Sequence, residues 1–387
     1  MRVLPSGAGL AVVTAAIGEA LQGRGPVAPL PADPVEAERV RTMLQPEIPV
    51  SEPDAAVIVS TSGSTGTPKG VVLSGGAVAA SAAATHQRLG GPGRWLLALP
   101  THYVAGFMVV ARAAVTGQSV SSVGSDLSGL ADAVRSPERS YLSVVPTQLS
   151  RALDDPALTA ALRKVSALLL GGAPARPALL SRARDAGLNV VTTYGMSETC
   201  GGCIYDGQPL PGVRAMLAEQ ADGIGRILLG GPMVFSGYRL RPELTAETLV
   251  DGVVRTNDRG CLSEGRLTVL GRFDDVIISG GMKIDLAAVE RAAREWPALA
   301  GADIVLLGVP DPEWGMRLVA VAEQPRPSGA EQPDLLTLQG FLAERLARHE
   351  QPRELIMMSS LPRTSSGKVD RRSLLTDITV RRGVTDR

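Results

Sequence analysis

Short apolar runs rich in β-branched residues recur at 57–59, 96–99, 142–145, 167–170 and 190–193, and alanine-rich stretches with helical spacing lie between them. Strand-like and helix-like periods alternating in this way predict an α/β domain. From 224 to 270 the helical stretches give way to strand-like pieces separated by Gly-Gly, Gly-Tyr and Asp-Gly turns, as expected of a β-rich unit closing that domain. Composition changes near Gly271. Beyond it the pattern reads strand (276–279), helix (286–296), strands (303–307 and 318–322) and helix (335–346), which predicts a separate small α+β domain. The expected organisation is a large multi-subdomain α/β domain over 1–271 and a small C-terminal domain over 272–387. The Pro-rich stretch 324–333 reads as a loop within the second domain, and the residues from 381 as a frayed end.

A chain of 387 residues that is 44% hydrophobic can fill more than one core. Its 39 basic residues balance 39 acidic ones without long single-sign runs. That composition offers no basic surface for nucleic acid or an anionic membrane and points to a small-molecule partner. The three cysteines, Cys200, Cys203 and Cys261, are too few for a disulfide framework and suit the reducing cytoplasm. The apolar stretch 8–17 is interrupted by Thr14 and followed by Glu19, so it reads as a buried element rather than a signal segment. No apolar run approaches the ~18 residues that a membrane-spanning helix needs.

Only four of the basic residues are lysines, and Lys69, Lys283 and Lys368 fall in glycine-rich loops, leaving Lys164 outside them. A chain that otherwise writes arginine keeps lysine where a compact ammonium with rotatable donors is useful.

The strongest chemical signal is Ser-Thr-Ser-Gly-Ser-Thr-Gly-Thr-Pro-Lys-Gly at 60–70, directly behind an apolar strand. Such a loop suits phosphate: glycines let backbone N–H groups approach the oxygens, hydroxyls donate further bonds, and Lys69 adds charge. It is not a Walker A loop, because Gly63 and Gly66 are too close and Lys69 precedes glycine rather than Ser or Thr. A flexible linker would explain the composition but seldom follows a buried strand.

This loop resembles the phosphate loop of the adenylate-forming superfamily, which includes acyl-CoA synthetases, peptide-synthetase adenylation domains and luciferases. On that resemblance Thr61, Ser62, Gly63, Ser64, Thr65, Gly66, Thr67 and Lys69 bind ATP phosphates. Tyr-Gly-Met-Ser-Glu-Thr at 194–199 is similar to the family's Tyr-Gly-x-(Ser/Thr)-Glu signature. It implies Tyr194 against adenine, Glu198 on Mg²⁺ and Thr199 near the α-phosphate, with Glu198 and Thr199 catalytic. A hard carboxylate for Mg²⁺ and an aromatic face for a purine fit those roles. A strand-to-helix turn capped by Ser197 or Thr199 would account for the hydroxyls but not for tyrosine and glutamate together.

Gly171, Gly172 and Ala173 resemble the family's adenine-side loop. Thr-Asn-Asp-Arg-Gly at 256–260 resembles its Thr-Gly-Asp segment, implying Asp258 as the ribose ligand, with Asn257 where the family has glycine. The segment 271–284 is similar to the interdomain hinge, with Arg272 on the ribose, Asp274 as pivot, and Gly280, Gly281 and Lys283 along a path for CoA. Residues 362–370 resemble the C-terminal catalytic loop, whose lysine is Lys368. In isolation, a surface turn with a solvated lysine would be the better reading of that loop; its order and spacing relative to five other motifs reverse this.

The resemblance runs from about 57 to 374 and implies ATP, Mg²⁺ and CoA acting on a carboxylic acid, with a mobile small domain and room for a homodimer. Relatives carry a longer stretch before the phosphate loop, so peripheral structure on the large domain is expected to be reduced. Within the superfamily, residues 99–106 and the Val-Pro-Thr-Gln-Leu segment at 145–149 resemble the o-succinylbenzoate–CoA ligases of menaquinone biosynthesis. His102, Thr147, Arg151 and Gly195 are then expected at the acyl pocket. For His102, capping a loop remains an equal reading of the residues themselves. Other expectations are a different acyl- or aryl-CoA synthetase, an adenylating enzyme that loads a carrier protein, or a nucleotide-binding pseudoenzyme. Cys-Gly-Gly-Cys at 200–203 lacks the four ligands of a structural zinc site and reads as packed thiols.

Overall fold

The computed structural model describes residues 1–52, 54–62, 68–136, 138–299, 301–325, 333–364 and 368–381. They form two compact units, Met1–Thr256 with Leu262–Thr268, and Asn257–Cys261 with Val269–Arg387. The compositional change near Gly271 falls close to Val269, while Asn257–Cys261, read from the sequence as part of the large domain, packs with the second unit.

A seven-stranded sheet organises the first unit. Its order is Gln208–Pro209, Gly201–Tyr205, Val190–Met196, Ala167–Leu170, Ser140–Val144, Arg94–Leu97 and Val120–Ser122. The five strands from Val190–Met196 onward are parallel, and the Gly201–Tyr205 strand pairs antiparallel with Val190–Met196. Alternation decides the layering. Trp95, Leu97, Tyr141, Leu169 and Val191 face one hydrophobic cluster, whereas Leu96, Leu142, Val144, Leu168 and Leu170 face another. A parallel sheet buried on both faces requires apolar residues at consecutive positions, which is why its strands read as continuous runs.

The helix Val104–Thr116 is buried from Gly106 through Ala113, and Arg112, the one charged residue in it, lays its guanidinium over the Trp95 ring. The stretch 8–17 forms part of the helix Leu10–Leu21, which buries Val13, Ala16, Ile17 and Ala20 at helical spacing. In a second, five-stranded sheet, Ala55–Ser62 and Pro68–Ser74 form an antiparallel hairpin and Gly237–Tyr238 pairs with Pro68–Ser74. The 224–270 stretch holds strands but also the helix Pro242–Thr248, which the sequence reading missed. Proline at its first turn and Glu243 beside the positive helix end are its start signals.

In the second unit the strands Met282–Asp285, Val276–Ser279, Gly315–Glu323 and Ile304–Asp311 lie in that order, with Glu354–Met358 parallel beside Gly315–Glu323. Here too the residues alternate between two clusters: Ile304, Leu306, Leu318 and Ala320 in one, Val305, Leu307, Val319 and Val321 in the other. Among the described residues no helix is long and apolar enough to cross a membrane.

Candidate active site

In an open α/β sheet, ligands collect beyond the carboxyl ends of the parallel strands. Those ends carry the motifs of the first unit: 99–102 after Arg94–Leu97, 145–148 after Ser140–Val144, 171–173 after Ala167–Leu170, and Tyr194 with Gly195 within Val190–Met196. A turn follows at Ser197–Thr199 and carries Glu198, 9% exposed. Cys200 then adopts a left-handed conformation at φ 51° and Gly201 another at φ 83°, which reverses the chain into the next strand. A Cβ at Gly195 would stand 2.1 Å from the Gly201 carbonyl oxygen, so the glycine expected at the acyl pocket is demanded by this hairpin. Gly171 is likewise pressed against Thr193, whose Oγ1 would lie 2.3 Å from an added Cβ.

The Glu198 carboxylate accepts a hydrogen bond from the Tyr238 hydroxyl at 2.6 Å. Burial, with Glu198 beside it, pushes the Tyr238 phenol well above its ordinary pKa, so it stays a donor. Lys69 sits with its ammonium 4.5 Å from the centroid of the same ring. Lys69 and Glu198, assigned from separate motifs, therefore meet on one tyrosine. The register pairs Thr61 with Lys69 and Ser62 with Pro68. Gly63, Ser64, Thr65, Gly66 and Thr67, expected at the phosphates, lie outside the described residues.

Thr199, expected near the α-phosphate, has its hydroxyl engaged with the backbone. It is fully buried, and its hydroxyl accepts from the Met196 N–H at 3.0 Å and bonds to the carbonyls of Met196 and Gly201 at 3.1 and 2.8 Å. The hydroxyl is spent on locking the turn that presents Glu198. Cys200 and Cys203 are free and buried; burial drives both thiols up, Cys203 to about 12, so they are inert packing residues.

His102 is 6% exposed, and its Nε2 has no hydrogen-bond partner among the described residues. Burial lowers its pKa, opposed by Glu36, which favours a neutral imidazole. Its ring lies 4.1 Å from that of Tyr103. Thr147 is half-buried and Arg151 exposed, on the helix Pro146–Leu153. Gln148, which sequence reasoning passed over, fastens this region: Oε1 accepts from Val145 N–H at 3.0 Å and Nε2 donates to Ala98 and Ser125 carbonyls at 3.0 and 2.9 Å. A cavity of about 730 Å³ among Val35, Arg39, Met43, Pro68, Arg239 and Leu240 contains none of the expected site residues.

A second constellation lies in the second unit. Arg272 grips Asp274 with two bonds, of 2.7 and 2.8 Å, and stands 3.8 Å from Asp258. The Arg272 bond holds the Asp274 carboxyl below its usual range, and Asn257 also bonds to it. Asn257, where the family has glycine, thus supplies a side chain that supports the expected pivot. Lys368 is exposed as a residue, yet desolvation around its ammonium and the nearby Arg272 charge lower its pKa, opposed by Asp258. Its loop is closed by an Arg363–Val369 bridge, and Arg363 is clamped by Asp303 at 2.6 Å and Glu323 at 3.1 Å. Gly280 and Gly281 form a two-residue hairpin with φ of 55° and 78°. A Cβ on Gly280 would meet the Trp314 ring at 2.7 Å. Lys283 is exposed on the next strand, beside Met282.

The AMP-binding enzyme family matches residues 13–239, and the AMP-binding enzyme C-terminal domain matches 288–368. A probable 2-succinylbenzoate–CoA ligase of Mycobacterium tuberculosis is 40% identical, covering 97% of this chain and 98% of its own length. A 2-succinylbenzoate–CoA ligase of Bacillus cereus is 31% identical over 89% of this chain and 74% of its own. Among solved structures, o-succinylbenzoate CoA synthetase from Bacillus subtilis, in complex with the acyl-adenylate intermediate OSB-AMP, aligns at TM-score 0.72 and 28% identity. That alignment covers 93% of this chain and 80% of the other. The amide bond synthetase McbA from Marinactinospora thermotolerans aligns at TM-score 0.76 and 25% identity, over 97% and 83%. By these matches the chain belongs to the AMP-binding enzyme family, in company with its 2-succinylbenzoate–CoA ligases.

Proposed function

We propose that this chain is an AMP-forming acid–CoA ligase that activates o-succinylbenzoate with ATP and passes the acyl group to CoA, a step of menaquinone biosynthesis. The observation that carries this reading is Glu198, a buried carboxylate in the turn that follows the Tyr194 strand, in a chain 40% identical nearly end to end to a probable 2-succinylbenzoate–CoA ligase. In the first step a substrate carboxylate oxygen bonds to the α-phosphorus of ATP, and the bond to the β-phosphate bridging oxygen breaks to release pyrophosphate. In the second the CoA thiol, losing its proton, bonds to the acyl carbon and AMP leaves.

Two anions must approach in the first step, so positioning and neutralisation dominate its barrier. Lys69 and Lys368 are the cations assigned to that work. The donors present fit Mg²⁺: among the described residues no group of three or more His, Cys, Asp or Glu forms a protein cage, and Glu198 is a buried lone carboxylate. Mg²⁺ is usually held by one or two carboxylates with substrate phosphates and water. Bound there by Glu198, it would neutralise phosphate charge.

Tyr194 and residues 171–173 would take the adenine, and Asp258 and Arg272 the ribose. Asp274 would serve as the pivot, and Gly280, Gly281 and Lys283 would border the CoA path. His102, neutral and with a buried nitrogen that has no partner among the described residues, is a wall of the acyl pocket that a substrate oxygen or N–H would complete; Thr147 and Arg151 are weaker members of it.

The test is pyrophosphate release with ATP, Mg²⁺ and a panel of aryl and acyl acids including o-succinylbenzoate, with and without CoA, and products identified by mass. Strong preference for o-succinylbenzoate and appearance of its CoA thioester are expected. Preference for another acid overturns the substrate assignment, and no release with any acid overturns the ligase. The likeness to an amide bond synthetase favours one other acceptor, so amines join the panel; an amide product in place of the thioester would move the second step to nitrogen.

A further inference from the structure

The Gly237–Tyr238 strand carries no family signature read from the sequence, yet it touches both charged groups of the first unit's site. Tyr238 pairs with Val71, two residues along from Lys69. Its hydroxyl bonds Glu198 at 2.6 Å, in the range of a short bond to a carboxylate. Its ring carries Lys69 on its face and Phe235 against it at 4.9 Å and 64°. Backbone ties fix it from both sides: Tyr238 N–H donates to Thr245 Oγ1 at 2.9 Å, and Phe235 N–H donates to the Glu198 carbonyl at 2.9 Å. We infer that Tyr238 is a positioning residue that locks the Glu198 carboxylate, through its hydroxyl, in the orientation that receives the divalent cation of the nucleotide, while its ring sets the height of Lys69.

The hydroxyl engages Oε1 and, among the described residues, no other side chain bonds this carboxylate, which leaves Oε2 for a cation. A neutral donor suits this task better than a lysine or arginine, since it holds the carboxylate without neutralising the charge that attracts Mg²⁺. The two jobs of Tyr238 are separable, because phenylalanine keeps the ring under Lys69 and loses only the hydroxyl.

The inference rests on the reading of Glu198 as the metal carboxylate, so the experiment includes both residues. Mn²⁺ binding is followed by electron paramagnetic resonance in the presence of a non-hydrolysable ATP analogue and without acid, for the wild type, Glu198→Gln, Tyr238→Phe, Tyr238→Leu and Phe235→Leu. Tyr238→Phe is expected to weaken Mn²⁺ about 10-fold, as loss of an outer-shell partner typically does, with affinity for the metal-free analogue unchanged. Tyr238→Leu should in addition weaken the metal-free analogue, through Lys69. Phe235→Leu, which loosens the same packing without removing a hydroxyl, should leave Mn²⁺ within about 2-fold. If Glu198→Gln weakens Mn²⁺ and Tyr238→Phe does not, or Phe235→Leu weakens it equally, the Tyr238 inference fails alone. If Glu198→Gln has no effect, the metal reading of Glu198 fails with it.

Discussion

A carboxylate that receives a hard cation must be rigid enough to hold one geometry and open enough to be reached. Glu198 meets the first condition through the turn locked by Thr199 and the bond from Tyr238. Lys368 meets a related demand, a charge kept where desolvation opposes it. Its lowered pKa has a definite sign: the ammonium is lost as pH rises, and earlier than an ordinary lysine would lose it. The adenylation rate should therefore fall on the alkaline side below the usual lysine range, and Lys368→Arg should shift that limb upward. Lys368→Ala should slow adenylation by about 10²–10³, as loss of one preorganised donor does. Thioester formation from a supplied acyl-adenylate should be spared; an equal fall in both half-reactions would contradict the assignment of Lys368 to the first. His102→Ala should raise KM for the acid with little change in KM for ATP, and an unchanged acid KM would leave His102 a loop residue.

At the scale of elements, small hairpins and turns carry the chemistry and short clamps hold them. Arg363, gripped by Asp303 and Glu323, closes the base of the Lys368 loop. Arg363→Ala is expected to cut the adenylation rate roughly 10-fold while thioester formation from supplied adenylate holds, the same split as Lys368→Ala but milder. Equal losses in both would make Arg363 a general stabiliser. The sheet elements were legible because both faces of the parallel sheet are buried, which writes apolar residues at every position of its strands. The clamps were not. Gln148, Tyr238 and Arg363 act on partners remote in sequence, and a single polar residue does not show which distant carbonyl or carboxylate it meets. Thr199 shows the converse: inside a motif a hydroxyl looks available, and the fold shows it bonded to the backbone around it.

Across the first unit, one buried arginine ties the N-terminal segment to the site. Arg239, beside Tyr238 and 3% exposed, donates to the Leu44 carbonyl at 3.0 Å, Pro49 at 2.8 Å and Gln45 at 3.0 Å, and also to Ile48. Arg239→Ala removes the common donor of those carbonyls; Leu44 is buried while Gln45, Ile48 and Pro49 are exposed and can turn to water, so the cost is about 1–2 kcal/mol and Tm should fall by a few degrees. An unchanged Tm would show that the 44–49 segment does not depend on it. The motifs at 60–70, 194–199, 256–260, 271–284 and 362–370 make the chemistry readable in the sequence, because phosphate, cation and ribose each impose residue types at fixed spacing. The acid is less legible, since a pocket's shape is a property of packed side chains. The central claim is attack by a substrate carboxylate on the α-phosphorus, and the most direct measurement uses o-succinylbenzoate labelled with ¹⁸O in its carboxylates, turned over with ATP and CoA. The account predicts one ¹⁸O in the AMP released; AMP free of label, with thioester formed, would contradict it.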